Sequence, residues 1–279
     1  MTAEAMDEQL QRFFDWLYDN SEGKRRGRSV GEATYCGVLV LRREWKGRLP
    51  GAAEALKGWS RHLPPVAHPP MDWALACACA VWLTYRGQWR EGIALLVGWK
   101  ALLRVNEMTA LRAEDVSFEG DARVSSSARG AMLTVSRSKT SDTAQVTFVD
   151  DPVVVELLKL IVADAKREGR RYLFPFDERH INRGLKAACA GLGITGPFVY
   201  HSMRHGGATA LYIAGVPLER IMVHGRWRRQ ESCLHYCQLG PARLIEHALP
   251  ARTARVSKAI AADLLGWFLR ALRSWRAMA

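Results

Sequence analysis

The sequence predicts a mainly α-helical protein: a small helical amino-terminal domain followed by a larger mixed α+β domain, whose helices carry a small antiparallel sheet. Three observations lead there. Apolar residues recur at helical spacing through most of the 279 residues. The period changes to a strand-like one in a single place, Ala131–Val149. Leu63-Pro-Pro-Val-Ala-His-Pro-Pro70 forms a stiff stretch that divides residues 1–65 from residues 66–250, with a tail over 251–279.

Each element has its own signal. Asp7–Tyr18 carries Leu10, Phe13, Phe14, Leu17 and Tyr18 at helical spacing. Gly23-Lys-Arg-Arg-Gly-Arg28 reads as a basic loop, and Ser29 opens a second helix with Val30, Tyr35, Val38, Leu39 and Leu41. A third run, Ala52–Leu63, stops at the prolines. Residues 71–112 resume as helix and are strongly apolar from Ile93 to Leu103. Ala131–Val149 is two β-rich runs joined by a polar turn, the mark of a hairpin. Helices return over Val153–Arg167, Asp177–Leu192, Ser202–Ala214, Leu218–His224 and Glu231–Cys237. Gly215 is placed to end the third of these in a left-handed conformation. In the basic tail, Ile260, Leu264, Trp267, Phe268 and Trp275 predict an amphipathic helix.

Composition narrows the function. With 48% hydrophobic residues, a chain of this length buries a core without disulfide or metal staples. The longest apolar run, Trp73–Leu83, is too short for a bilayer, and the start lacks the pattern of a secretory leader. Membrane and extracellular roles are therefore not expected. Forty Lys+Arg against 28 Asp+Glu leave a net charge of +12, which favours a polyanionic partner, nucleic acid first, in an intracellular, DNA-containing compartment. The six cysteines fit a reducing environment. Cys233 and Cys237 lie one helical turn apart with His235 between them, and His201 and His205 form a similar pair. Neither pair has the further ligands a metal site needs, so neither a metal nor a cofactor is expected.

Metal-free phosphodiester chemistry needs a nucleophile, cations or donors for the non-bridging oxygens, and an acid for the leaving oxygen. Tyr200-His-Ser-Met-Arg-His-Gly-Gly-Ala-Thr supplies His201 and Arg204 three apart, on one helix face. Upstream, Arg104 and Glu107 have the same spacing. Downstream, Gly225-Arg-Trp227 is followed nine residues later by Tyr236. A single helical Arg is ordinarily a solvated or salt-bridged side chain, so the weight rests on the order of the elements.

That order is similar to the tyrosine recombinases, the phage-integrase family. It runs Arg-x-x-Glu-x-x-x-Leu, a hairpin Lys, His-x-x-Arg-His-x-x-Ala-Thr, Gly-x-Trp, then Tyr nine residues on. Trp227 stands where most members have His, the Cre-like form. The resemblance covers residues 70–250. It implies that Arg104 and Arg204 bind the scissile phosphate, that His201 manages the nucleophile's proton, and that Lys139 protonates the leaving 5′ oxygen. Trp227 would donate its indole N–H and Tyr236 would attack, giving a 3′-phosphotyrosyl link. Glu107 and His205 are supporting residues. Tyr200, beside His201, and Tyr212, inside an apolar helix, are rival nucleophiles that lose on spacing.

The chain departs from the usual pattern at Leu102, where the family generally has Gly, at Met203 for Leu, and at Gly206 for Thr or Ser. None of these removes a reacting group.

By the same resemblance the two domains close on double-stranded DNA as a C-shaped clamp. The basic residues Lys24, Arg25, Arg26, Arg28, Arg42, Arg43, Arg226, Arg228 and Arg229 would hold phosphates. The expected assembly is a homo-oligomer, a tetramer on DNA and a monomer or dimer when free, with room for accessory proteins. Residues 241–249 would dock on a neighbouring protomer. The expected activity is site-specific recombination; a type IB topoisomerase-like relaxing enzyme and a catalytically silent DNA-binding protein are the alternatives.

Overall fold

The computed structural model describes residues 1–21, 24–63, 68–121, 130–135 and 144–278. The chain divides into two compact units, Met1–Ala67 and His68–Ala279.

The first unit holds three helices, α1 (Ala3–Asn20), α2 (Lys24–Leu41) and α3 (Pro50–His62). Leu10, Phe14 and Leu17 of α1 bury against Trp45, Leu49, Ala52, Leu56 and Trp59. Helix α1 starts before Asp7 because Thr2 caps it, accepting from the Ala5 N–H at 3.2 Å. Asp7, buried inside the helix, accepts instead from the N–H groups of Gly51 and Ala52 at 2.9 and 2.8 Å. It thereby caps the amino end of α3, where Pro50 stands at the first position and Leu49 offers no side-chain cap.

The expected basic loop is helical from Lys24 onward. Lys and Arg are good helix formers, and Gly27 is useful where it stands: a Cβ there would press on Ser21 and on the Trp59 ring.

In the second unit α4 (Trp73–Tyr85) is the central post. Asp72 caps it through the Ala74 N–H at 2.8 Å. Its Trp-Ala-Leu-Ala-Cys-Ala-Cys-Ala-Val run is apolar all round, and Leu75 to Val81 are buried without a break, as a helix enclosed on every side requires. Helices α5 (Trp89–Lys100), α8 (Glu178–Gly191), α13 (Ala251–Ala262) and α14 (Leu264–Met278) pack around it. Gly87, at φ 83° between α4 and α5, sits beneath the Trp275 indole, where a Cβ would collide.

The hairpin forms from β2 (Ala131–Val135) and β3 (Gln145–Val149), antiparallel with Met132 opposite Phe148. A third strand, β1 (Val116–Phe118), joins β2 on its other side. Helix α7 (Pro152–Arg167) follows. The remaining helices are α6 (Val105–Thr109), α9 (His201–Ile213), α10 (Leu218–Gly225), α11 (Gln230–Leu234) and α12 (Leu239–Ala248). Gly215, at φ 76°, lies just past the end of α9.

The tail is two helices, broken at Asp263, and it covers its own unit. Ile260, Leu264, Phe268 and Leu272 are buried in the same core as α4. Trp275 packs against that core, while Trp267 stays partly exposed. No helix among the described residues is long and apolar enough to cross a membrane.

Candidate active site

Three chain segments meet at one place: the turn after α5, the start of α9, and the stretch from α10 to Tyr236. Helix α5 ends at Lys100, and the chain turns through Leu102 at φ 49° into Arg104, which stands before the first residue of α6. A left-handed Leu costs about 1–2 kcal/mol relative to Gly, and this is the position where the resemblance expects Gly. Burial offsets the strain: Leu102 is fully enclosed, against Ala208, Ile221, Trp227 and Cys233. Glu107 holds the turn. Its Oε2 accepts the Arg104 backbone N–H at 2.9 Å, and its Oε1 accepts the Arg104 guanidinium at 2.6 Å.

Helix α9 places His201, Arg204 and His205 on one side, at i, i+3 and i+4. Gly206 and Gly207 lie against α5 and its neighbours. A Cβ on Gly206 would overlap the Met71 carbonyl, which accepts the Trp99 indole N–H at 2.9 Å; one on Gly207 would overlap the Trp99 carbonyl. The Gly at 206 in place of Thr or Ser is thus a packing requirement of this chain.

Arg204 is fully buried. It donates to the Leu102 carbonyl and, at 2.5 Å, to the Gly225 carbonyl. Its guanidinium lies 4.3 Å from the Trp227 ring and 5.2 Å from the Tyr236 ring. Burial first, then Arg104 and Arg226, pull it down to about 9, still charged at neutral pH.

Tyr236 follows α11 and is tied to α9 by Thr209, whose hydroxyl donates to the Tyr236 carbonyl at 3.0 Å and accepts the Gln238 N–H at 3.0 Å. That tie explains why the helix expected over Glu231–Cys237 ends at Leu234. The phenol oxygen is 3.0 Å from His201 Nε2. Burial, reinforced by Arg204 and by His68, drops His201 to about 4, so the imidazole is neutral at pH 7 and offers one acceptor nitrogen. His205 stacks on the Tyr236 ring, 4.4 Å between centroids, and its Nδ1 is 3.0 Å from the Gln238 amide. Trp227 packs 4.9 Å from the Tyr236 ring, and its buried indole N–H has no partner among the described residues.

The structure therefore brings together Arg104, Glu107, His201, Arg204, His205, Trp227 and Tyr236. The rival Tyr200 is wholly buried against Gly98. Its burial pushes its hydroxyl above the ordinary value, which disfavours an attacking phenolate. Lys139 and its neighbour Arg137 lie outside the described residues, as do the side chains of Lys24 and Arg25. Among the described residues no cluster of His, Cys, Asp or Glu could hold a metal ion. Cys233 is buried beside Leu102.

Of the expected phosphate clamps, Arg26, Arg43, Arg228 and Arg229 are exposed. Arg28 is engaged by Glu32 at 2.7 Å and by the Leu63 carbonyl, and Arg42 by Glu44 and the Trp45 ring. Arg226 corrects the expectation outright. Its backbone is left-handed, φ 60°, which turns the side chain inward to Glu107 at 2.6 Å, both groups being buried. Thr209 and Gln238 escaped the sequence reading; the Thr of the Ala-Thr pair after the second Arg was the one available signal for the first.

Residues 84–243 match the sequence model of the phage integrase family. The chain belongs to that family. No curated protein matches this phage integrase family member. The solved Tn1549 transposon integrase, in complex with circular intermediate DNA, is 13% identical with a TM-score of 0.51, over 86% of this chain and 99% of that one. The XerA recombinase is 19% identical with a TM-score of 0.45, over 87% and 91% of the two chains. XerH site-specific recombinase bound to its difH substrate is 13% identical, TM-score 0.48, over 64% and 52%. At these identities the comparison concerns the fold, and the transposon integrase shares this one: a tyrosine-recombinase architecture, mainly helical with a small antiparallel sheet.

Proposed function

We propose that this phage integrase family member cuts and rejoins double-stranded DNA at specific sites through a 3′-phosphotyrosyl intermediate on Tyr236. The observation that carries it is the Tyr236 hydroxyl, 3.0 Å from a neutral His201, in a pocket where Arg104, Arg204 and Arg226 face the single carboxylate of Glu107. Three positive charges against one negative leave a surplus that suits a phosphodiester.

His201 takes the phenol proton as the Tyr236 oxygen bonds to phosphorus. The bond to the 5′ oxygen breaks, and that oxygen takes a proton from Lys139 in the role the family pattern gives it. Arg104 and Arg204 meet the charge that grows on the non-bridging oxygens, with the Trp227 N–H as a further donor. The phosphotyrosyl ester conserves the energy of the broken bond, so a 5′-hydroxyl from another strand reverses the step without a nucleotide. The proposal extends to a tetramer on the DNA, each protomer supplying one Tyr236 and docking on its neighbour through residues 241–249, and to exposed Arg26, Arg43, Arg228 and Arg229 as phosphate contacts.

Nicked duplexes with a randomised or genomic flank test this. Denaturation after mixing should leave protein-linked DNA that shares a sequence and disappears in Tyr236→Phe, while binding persists. Linked DNA without a shared sequence would point to a relaxing enzyme. Binding without any linked DNA would sink the catalytic reading.

A further inference from the structure

We infer that Arg226 is a positioning residue for strand cleavage, locking Glu107 and the Leu102 carbonyl so that Arg104 and Arg204 are held in one arrangement. The inference rests on the reading of Tyr236 as nucleophile. Among the described residues, two that are not glycine have a left-handed backbone, Leu102 at φ 49° and Arg226 at φ 60°. They are joined directly, Arg226 Nη2 donating to the Leu102 carbonyl at 3.0 Å.

Arg226 also donates to the Ala101 carbonyl at 3.3 Å, to the His224 carbonyl at 3.0 Å, and to Glu107 Oε2 at 2.6 Å. The division of labour on Glu107 follows from these bonds. Oε2 serves Arg226 and the Arg104 backbone N–H, which leaves Oε1 to the Arg104 guanidinium. With Oε2 so held, the carboxylate has no freedom to turn, and Arg104 keeps its place.

Arg204 is held through the other arm. A carbonyl oxygen has two lone pairs, and that of Leu102 receives one donor from Arg204 and one from Arg226. A glycine at 226 would satisfy the backbone with less strain, yet it would lose both connections at once. Burial pulls the Arg226 guanidinium below its ordinary value and the Glu107 charge counters that, so the pair is kept ionised by its own geometry.

The test compares wild type, Arg226→Gly, Arg226→Lys and Arg226→Gly/Glu107→Gln in the full chain. Single-turnover linkage to a nicked duplex, affinity for intact duplex and the urea midpoint are measured for each. Arg226→Gly should link DNA about 100-fold more slowly, the scale of an ångström-level misplacement, with affinity within about two-fold of wild type. Arg226→Lys, keeping a charge for Glu107, should recover part of the rate. The double variant removes both buried charges and should regain the urea midpoint without regaining the rate.

Recovery of rate together with stability in the double variant, or a wild-type rate in Arg226→Gly, would overturn the inference and leave Arg226 a purely stabilising residue. If wild type forms no Tyr236-dependent linkage, the reading of the site falls and takes this role with it. That result is distinct from linkage that is present but indifferent to Arg226.

Discussion

Two arginine clusters in the second unit are built from the same parts and end in opposite states. At Asp164 on α7, the carboxylate is 3% exposed and takes Arg90 at 2.9 Å, Arg167 at 2.5 Å and Arg170. Glu168 joins through Arg90 and Arg170 at 2.8 and 2.7 Å. Three arginines share two carboxylates, and the arginine side chains keep 28%, 68% and 16% of their surface in water. At Glu107, Arg104 and Arg226 share one carboxylate while Arg204 beside them donates only to backbone carbonyls; Arg204 is fully buried, the Arg226 side chain is 2% exposed and that of Arg104 35%. The first cluster nearly balances its charge and lets solvent carry the remainder. The second keeps a larger surplus, two of its three arginines buried, with Arg204 beside the Tyr236 ring. The first arrangement is what a stabilising network needs, and the second is what the proposed strand cleavage would need, a charge left for the substrate to complete.

Mutations at matching positions should separate the clusters most sharply. Arg204→Ala should slow DNA linkage by about 1,000-fold, the range for loss of a transition-state donor. Asp164→Asn should cost about 3 kcal/mol of stability in urea titration and leave the linkage rate of the folded protein unchanged. A slowed rate in Asp164→Asn at saturating folded protein would erase the distinction. Inorganic phosphate at 100 times its Kd should stabilise wild type by about 2.7 kcal/mol, and Arg204→Ala by much less. An equal shift in the two would mean that the anion binds elsewhere.

Acid should act on the second cluster through its histidines. Burial holds His201 at about 4 and His205 at about 3, against an ordinary 6.5. Between those values the unfolded chain binds protons that the folded one refuses. Their contribution is therefore complete above pH 6.5 and is lost as the pH falls toward 4. Urea midpoints at pH 7.5 and 5 should show a drop that shrinks in His201→Asn/His205→Asn; a rise at pH 5 would contradict the burial. The smallest effect belongs to a buried carboxylate whose partners are backbone N–H groups, those of Gly51 and Ala52. Asp7→Ala should cost about 1 kcal/mol, the worth of a helix cap, read as a lower melting temperature.

Legibility in the sequence followed the range of the interaction. Helices α7, α8 and α9 and the β2–β3 hairpin were readable because their periods are local. His201, Arg204 and Tyr236 were readable because the family pattern records the spacing that brings them together. Strand β1 was missed: Val116–Phe118 is too short to show alternation and exists by pairing with β2. Asp7 read as the start of a helix because its partners, Gly51 and Ala52, are 44 and 45 residues away. Arg226 read as a phosphate contact, because it stands in a basic run with Arg228 and Arg229. What turned it inward is the sign of one φ angle, which residue type alone gives no reason to expect at an arginine.

The position of α13 and α14 has a consequence in time. The flanks of α4, made when residue 85 leaves the ribosome, are covered by helices that are not complete until residue 278. Until α13 and α14 are made, the α4 flanks that they cover stay open to solvent. The core around α4 is thus sealed by helices that lie almost two hundred residues further along the chain than the helix they enclose.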